Sequence, residues 1–207
     1  MASGNQRTLS RLSDDFLRAT WAFHPHTAAW LGLHAYDGRV PDLSRPALEA
    51  RAADLHRFLE ALDGIDPAGL DDGAWLDHQV LRHQAAFEIF VIEDWQKWAC
   101  DPFYYLEPLD VSSYVLRSYA PLGQRVEGLI SHLAGFPAIF DAMRENLTRV
   151  AAPVLKTSLR LVKGMSTFLA TDLPRAVADL EDGPLQTRFE EAKQEAVHGI
   201  EDMIAWM

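Results

Sequence analysis

Apolar residues recur at helical spacing along almost the whole chain, and no other feature of the sequence narrows the fold so much. Leu48, Ala52, Leu55, Leu59 and Leu62 step by four and three residues. Leu122, Val126, Leu129, Leu133 and Phe136 do the same, as do Leu155, Leu159, Val162, Ser166 and Leu169, with Ser166 the one weak member. Such spacing draws a single stripe down a helix, and the stripe must be buried against other helices. No alternating run bounded by turn residues appears, so strands are not expected.

Punctuation sets the boundaries. Ser44 precedes Arg45-Pro46 and is placed to cap a helix whose first turn tolerates proline. Gly64, ahead of Ile65-Asp66-Pro67, stops that helix, while Pro121, Pro137 and Pro153 stand at first turns and Gly183-Pro184 separates the last two segments. The pattern predicts helices over about 9–31, 45–63, 71–99, 111–119, 121–135, 137–150, 154–170, 173–181 and 185–207, with a break possible in the third. The expected class is all-α: a single domain over 1–207, built as a multi-helix bundle of about seven to nine helices.

The final segment carries Leu185, Phe189, Ala192, Ala196, Ile200, Met203 and Met207 in one stripe that still runs at the end of the chain. Two readings follow: a terminal helix docked on its own bundle, or an apolar face that a further lobe or a homodimer partner covers. The second is favoured, with the chain read as part of a longer protein.

Charge and composition exclude several classes of function. The formal net charge is −11 and the 19 Lys and Arg are scattered, so no basic cluster exists to grip a phosphate backbone or an anionic membrane. No stretch reaches the roughly 18 apolar residues of a membrane span. Met1 to Ser13 is polar, without the apolar core of a signal peptide, so export by that route is not expected if this is the natural start, and a cytoplasmic protein is the expectation. Cys100 is the one cysteine and fits a reduced compartment better than a disulfide or a thiolate metal site.

The chemistry-bearing motifs are absent: no HExxH, P-loop, GxSxG or GxGxxG. His24 and His26 lie two apart, and His78 and His83 five apart, so neither pair has the i, i+4 spacing of a helical zinc site. A site from His24, His26, His34 and Asp37 rests on sequence proximity alone, and ordinary surface or hydrogen-bonded histidines are preferred. The paired carboxylates, such as Asp71-Asp72 and Glu190-Glu191, do not share a helix face and read as solvated charge. No catalytic residue and no metal ligand is assigned.

Two places stand out as walls of a binding cleft. The loop from Gly32 to Pro41 carries His34, Tyr36, Asp37 and Arg39, dense polar chemistry for a connector. Arg39 has Asp37 and Asp42 within reach as ion-pair partners. The second place is the aromatic corner Trp98, Phe103, Tyr104 and Tyr105, preceded by Trp95. It reads as a core corner or as the apolar wall of a ligand site.

Several strings carry a family resemblance. Pro25-His26-Thr27-Ala28-Ala29-Trp30-Leu31-Gly32, then His34 and Tyr36-Asp37-Gly38-Arg39-Val40-Pro41-Asp42-Leu43-Ser44, resembles the opening of DUF885 proteins. Leu76-Asp77-His78-Gln79-Val80-Leu81, Arg125, Phe136-Pro137 and Asn146-Leu147 resemble later segments of that family in the same order. The likeness covers about residues 10–185. Longer members look like HExxH zinc metallopeptidases, so the resemblance implies one lobe of a helical metallopeptidase-like fold. It implies a non-catalytic N-terminal lobe that shapes one wall of a peptide-binding cleft, inactive alone, with zinc only in a C-terminal part beyond this chain. The expected partners are a peptide-like substrate in the full-length protein and the catalytic lobe or a second copy over the last helix. The alternative is a stand-alone helical binding protein, for which a homodimer is the natural form.

Overall fold

A computed structural model describes residues 4–207, and among these every regular element is helical. The helices are α1 (Gly4–Phe23), α2 (Pro25–Trp30), α3 (Arg45–Asp63), α4 (Asp72–Glu93), α5 (Lys97–Cys100), α6 (Phe103–Leu106), α7 (Ser113–Leu116), α8 (Leu122–Ala134), α9 (Phe136–Asn146), α10 (Ala152–Thr167), α11 (Leu173–Ala176) and α12 (Gly183–Trp206). None is long and apolar enough to cross a membrane. The chain divides into two compact units, one from residues 4–23 and 44–97, the other from 24–43 and 98–207.

The first unit is a three-helix arrangement of α1, α3 and α4. The expected stripe of α3 is the one buried: Leu48, Ala52, Leu55 and Leu62 pack with Leu9 and Phe16 of α1 and with Leu81, Ala85, Ile89 and Ile92 of α4. Ser44 holds the N-cap position of α3 in extended backbone but makes no capping bond with its hydroxyl. Asp71 does cap α4, accepting from Ala74 N at 2.9 Å.

Buried polar groups join the three helices. The Arg51 guanidinium donates to both carboxylate oxygens of Glu88, at 2.8 and 2.7 Å, and to Thr20 Oγ1 at 3.0 Å. It lies against the rings of Phe16 and Phe23. His78 is buried, and its Nε2–H donates to Leu62 O at 3.2 Å, a carbonyl at the end of α3 that also accepts from Ile65 N at 3.1 Å.

In the second unit α12 lies on α8, α9 and α10. Leu185, Phe189, Ala196, Ile200 and Met203 are buried there, so the apolar stripe expected to face outward is covered by this unit's own helices, and Trp206 is 44% exposed. The close approach shows at Gly199, where an added Cβ would sit 2.6 Å from Phe140. Asp182 caps α12 by accepting from Leu185 N at 3.1 Å. The segment after α10 winds into a π-helical turn, Phe168–Asp172, that runs into α11.

Several boundaries differ from expectation. The helix expected over 9–31 is two: Pro25 cannot donate a backbone bond, and the chain restarts there with His24 before it. The helix expected over 71–99 ends at Glu93, and Gln96 takes a φ of 51°, a left-handed conformation that a continuing helix excludes. The resemblance residues Arg125 and Asn146 prove to be internal ties. Arg125 donates to the carbonyls of Tyr114 and Ala120, and Asn146 Nδ2 donates to Leu43 O at 2.9 Å.

Candidate functional site

The stripe of α8 is apolar, yet His132 interrupts it beside Leu133 and is 2% exposed. Its Nε2–H donates to Pro108 O at 2.7 Å; a carbonyl can only accept, so Nδ1 carries the lone pair. Tyr114 on α7 supplies the matching donor, its hydroxyl standing 3.2 Å from Nδ1. That same hydroxyl accepts the N–H of Gly38 at 2.8 Å. The result is one directed chain, from Gly38 through Tyr114 to His132 and on to Pro108.

Glycine is required at the start of this chain. Gly38 has a φ of 79°, and a Cβ there would lie 2.7 Å from the Ser131 side chain and 3.1 Å from Gly128 O. The loop is tied again next door, where the Tyr119 hydroxyl donates to Asp37 Oδ2 at 2.8 Å. His34 stacks flat on Tyr119, ring centres 3.6 Å apart, with Nδ1 3.4 Å from Asp37 Oδ1.

Burial sets the protonation of this network. It drives the His132 pKa down, against the opposing pull of Pro108 O, Asp110 and Asp37. Burial first, then repulsion from His24 and His132, brings His26 down to about 3. Burial, with the negative charge of Asp37 adding to it, pushes Tyr114 up to about 12 against the opposing Gly38 hydrogen bond. Burial also raises Tyr119, followed by its bond to Asp37. At neutral pH both imidazoles are uncharged and both phenols hold their protons.

Beside this network opens a cleft of about 320 Å³, lined by His26, Thr27, Ala29, Trp30, Glu107, Asp110, Ser113, Tyr114 and His132. Ala29 and Trp30 are its apolar members, and the Arg117 guanidinium lies over the Trp30 ring at 4.9 Å. Glu107 and Asp110 are the cleft's acidic members and Ser113 carries a hydroxyl. Asp110 is held in place by accepting from Ser112 N at 2.8 Å. His26 Nε2 is 3.2 Å from Thr27 Oγ1, while its Nδ1 is shut from solvent without a hydrogen-bond partner. A larger hollow between α1 and the start of α4, near Asp14, Asp71 and Asp77, is walled mostly by exposed side chains and lacks such a fixed frame.

The residues singled out from the sequence fall in different places. His34 and Asp37 belong to the tether behind the cleft. Arg39 lies over the Tyr36 ring at 5.3 Å, on the same loop. Trp98 and Tyr105 are buried in the core of the second unit, joined by the Tyr105 hydroxyl donating to Trp98 O at 2.7 Å, with Tyr104 edge-on to Tyr105 and Phe103 half-buried. The cleft lining was not marked in the sequence, except for His26, weighed there as a metal ligand. One signal was present: a histidine placed on the apolar stripe of α8. Among the described residues no group of three or more His, Cys, Asp or Glu side chains is arranged to hold a metal ion.

A family model described as a bacterial protein of unknown function, DUF885, matches residues 25–207. Comparison with curated proteins gives no match. Among solved structures, the chain is similar to a Shewanella oneidensis protein described as "a putative lipoprotein of unknown function", with a TM-score of 0.87 and 19% identity. That likeness covers 96% of this chain and 36% of the other, so this chain spans about a third of the structure it resembles. At that identity the likeness establishes the fold.

Proposed function

Because the chain belongs to the DUF885 family, we propose that it acts as a non-catalytic helical lobe that shapes one wall of a peptide-binding cleft in a longer protein. The observation that carries this reading is the cleft in the second unit lined by Trp30, Glu107 and Asp110. Its volume suits one or two side chains rather than a whole folded partner. A lining that combines Trp30 with two acidic residues and a serine suits a cationic end of a peptide: an α-ammonium, lysine or arginine.

The groups behind the cleft favour holding over reacting. The lone pair of His132 is committed to Tyr114 and its N–H to Pro108, so it has no free site for proton transfer. His26 and Tyr114 titrate far from neutrality. In this reading the hydrolytic zinc chemistry implied by the resemblance belongs to the remainder of the longer protein.

Calorimetric titration with short peptides differing in one side chain tests the reading. A lysine-bearing peptide is expected to bind more tightly than its glutamate counterpart, and Asp110→Asn or Trp30→Ala is expected to weaken it by about tenfold each. Equal binding of the two peptides, or chelator-sensitive peptide hydrolysis by residues 1–207 alone, contradicts the proposal.

A further inference from the structure

Acid dominates this chain, with 30 Asp and Glu against 19 Lys and Arg, yet no acid lies between Glu145 and Asp172. That stretch holds Arg149, Lys156, Arg160 and Lys163. The last three stand on α10. They step by four and three residues, so they share one face and span about 10 Å of helix. All three are exposed. Several basic side chains elsewhere meet an acid: Arg51 meets Glu88, Arg82 meets Asp63, Arg188 meets Glu127 and Lys193 meets Glu190. Among the described residues, the side chains of Lys156, Arg160 and Lys163 have no ion-pair or hydrogen-bond partner.

An apolar row runs beside the charged one. Ala152, Leu155 and Leu159 step by three and four, Leu155 and Leu159 are half-buried, and the two rows together line a groove of about 450 Å³. The same helix buries Ser158 and Val162, and it packs on α12 and the π-helical turn. Every residue lining the groove belongs to α10. A small ligand held from one helix alone would stay largely in water, whereas a helix laid alongside brings a second wall of its own. An apolar row flanked by charge is also the pattern by which paired helices choose a partner.

We infer that α10 seats an acidic amphipathic helix of a partner polypeptide. Its apolar row lies over Ala152, Leu155 and Leu159, and its Asp or Glu side chains lie along Lys156, Arg160 and Lys163. Charge complementarity selects this occupant, because three neighbouring cations without acids call for carboxylates at the same spacing. It also disfavours an anionic bilayer. A bilayer meets the whole chain, whose formal net charge is −11, whereas a single helix within a screening length of about 10 Å feels chiefly the local row. The inference does not rest on the peptide reading: no residue lines both the groove and the cleft, and the groove selects acids where the cleft selects cations.

Fluorescence anisotropy of a labelled helical peptide, with one row of Leu and one of Glu at steps of four and three, tests it against the 207-residue chain. Saturable binding that weakens with added salt is expected. Lys156→Glu with Arg160→Glu is expected to raise the Kd by at least about tenfold with an unchanged circular-dichroism spectrum, because both positions are exposed. Arg11→Glu, an exposed site on α1, is expected to leave the Kd unchanged. Peptides with Gln for Glu, or with Ser for Leu, are expected to bind at least about tenfold more weakly. No binding, equal binding of either altered peptide, or an equal loss on Arg11→Glu overturns the inference. So does binding only to phosphatidylglycerol vesicles, or only self-association of the chain, lost on the same double reversal, since the row would then serve a bilayer or a second copy.

Discussion

Tyr114 has one hydroxyl and two commitments, accepting from Gly38 N–H and donating to His132 Nδ1. Tyr114→Phe keeps the ring and strands both partners, so a loss of about 2 kcal/mol is expected in urea unfolding. A shift below a few tenths would show that the directed chain contributes nothing. The histidines make a separate expectation. His26 and His132 are neutral in the folded chain at pH values where the unfolded chain protonates them. Their contribution is therefore whole above the unfolded pKa of about 6.5 and declines as pH falls, by up to about 1.4 kcal/mol per pH unit for each histidine. For His26 the decline continues to about 3. Stability measured between pH 6.5 and 5 is expected to slope downward towards acid, and His26→Gln to make that slope shallower. An unchanged slope contradicts the buried neutral imidazole. Little of this was legible in the sequence, because Gly38, Tyr114 and His132 lie on three elements and spacing cannot bring them together. The string around Tyr36 to Ser44 marked the right loop, but Arg39 settles over Tyr36, while Asp37 and Gly38 make its anchoring bonds.

Among the elements, the buried stripes were the most readable feature. Leu48, Ala52, Leu55 and Leu62 on α3 and Val126, Leu129 and Leu133 on α8 are buried as their spacing requires, with Leu59 half-buried, because a stripe on a helix needs no knowledge of its neighbour. Which helix covers which stripe is a property of the fold, and α12 shows the difference: its stripe was legible, its cover of α8, α9 and α10 was not. Arg51 was missed for a related reason. It sits within the apolar stripe of α3 and is buried only because Glu88, thirty-seven residues on, meets it with both oxygens. Removing one side of a buried ion pair leaves the other uncompensated, so Arg51→Ala is expected to cost about 3 kcal/mol or more in urea unfolding. A cost under about 1 kcal/mol would mean that water screens the pair as it does surface ion pairs. The exposed apolar face of α4, which carries Leu76, Val80, Phe87 and Phe90, was also present in the sequence, hidden because a helix with two apolar faces gives no clear amphipathic signal.

At the scale of the molecule, the second unit carries a cleft lined by apolar and acidic residues, and the first an exposed apolar face on α4. The neighbour of like fold is almost three times as long as the matched region. The resemblance read from short strings and the family match over residues 25–207 agree on the family, and the fold class followed from periodicity alone. The central claim concerns the cleft, and amide and indole NMR shifts of labelled protein titrated with a lysine-bearing tetrapeptide test it most directly. The largest changes are expected at the Trp30 indole and at Ser113, Asp110 and the backbone around His26, with the exposed Phe87 and Phe90 of α4 unmoved. Changes confined to other surfaces, or none at saturating peptide, would contradict the assignment of this cleft as a peptide-binding wall.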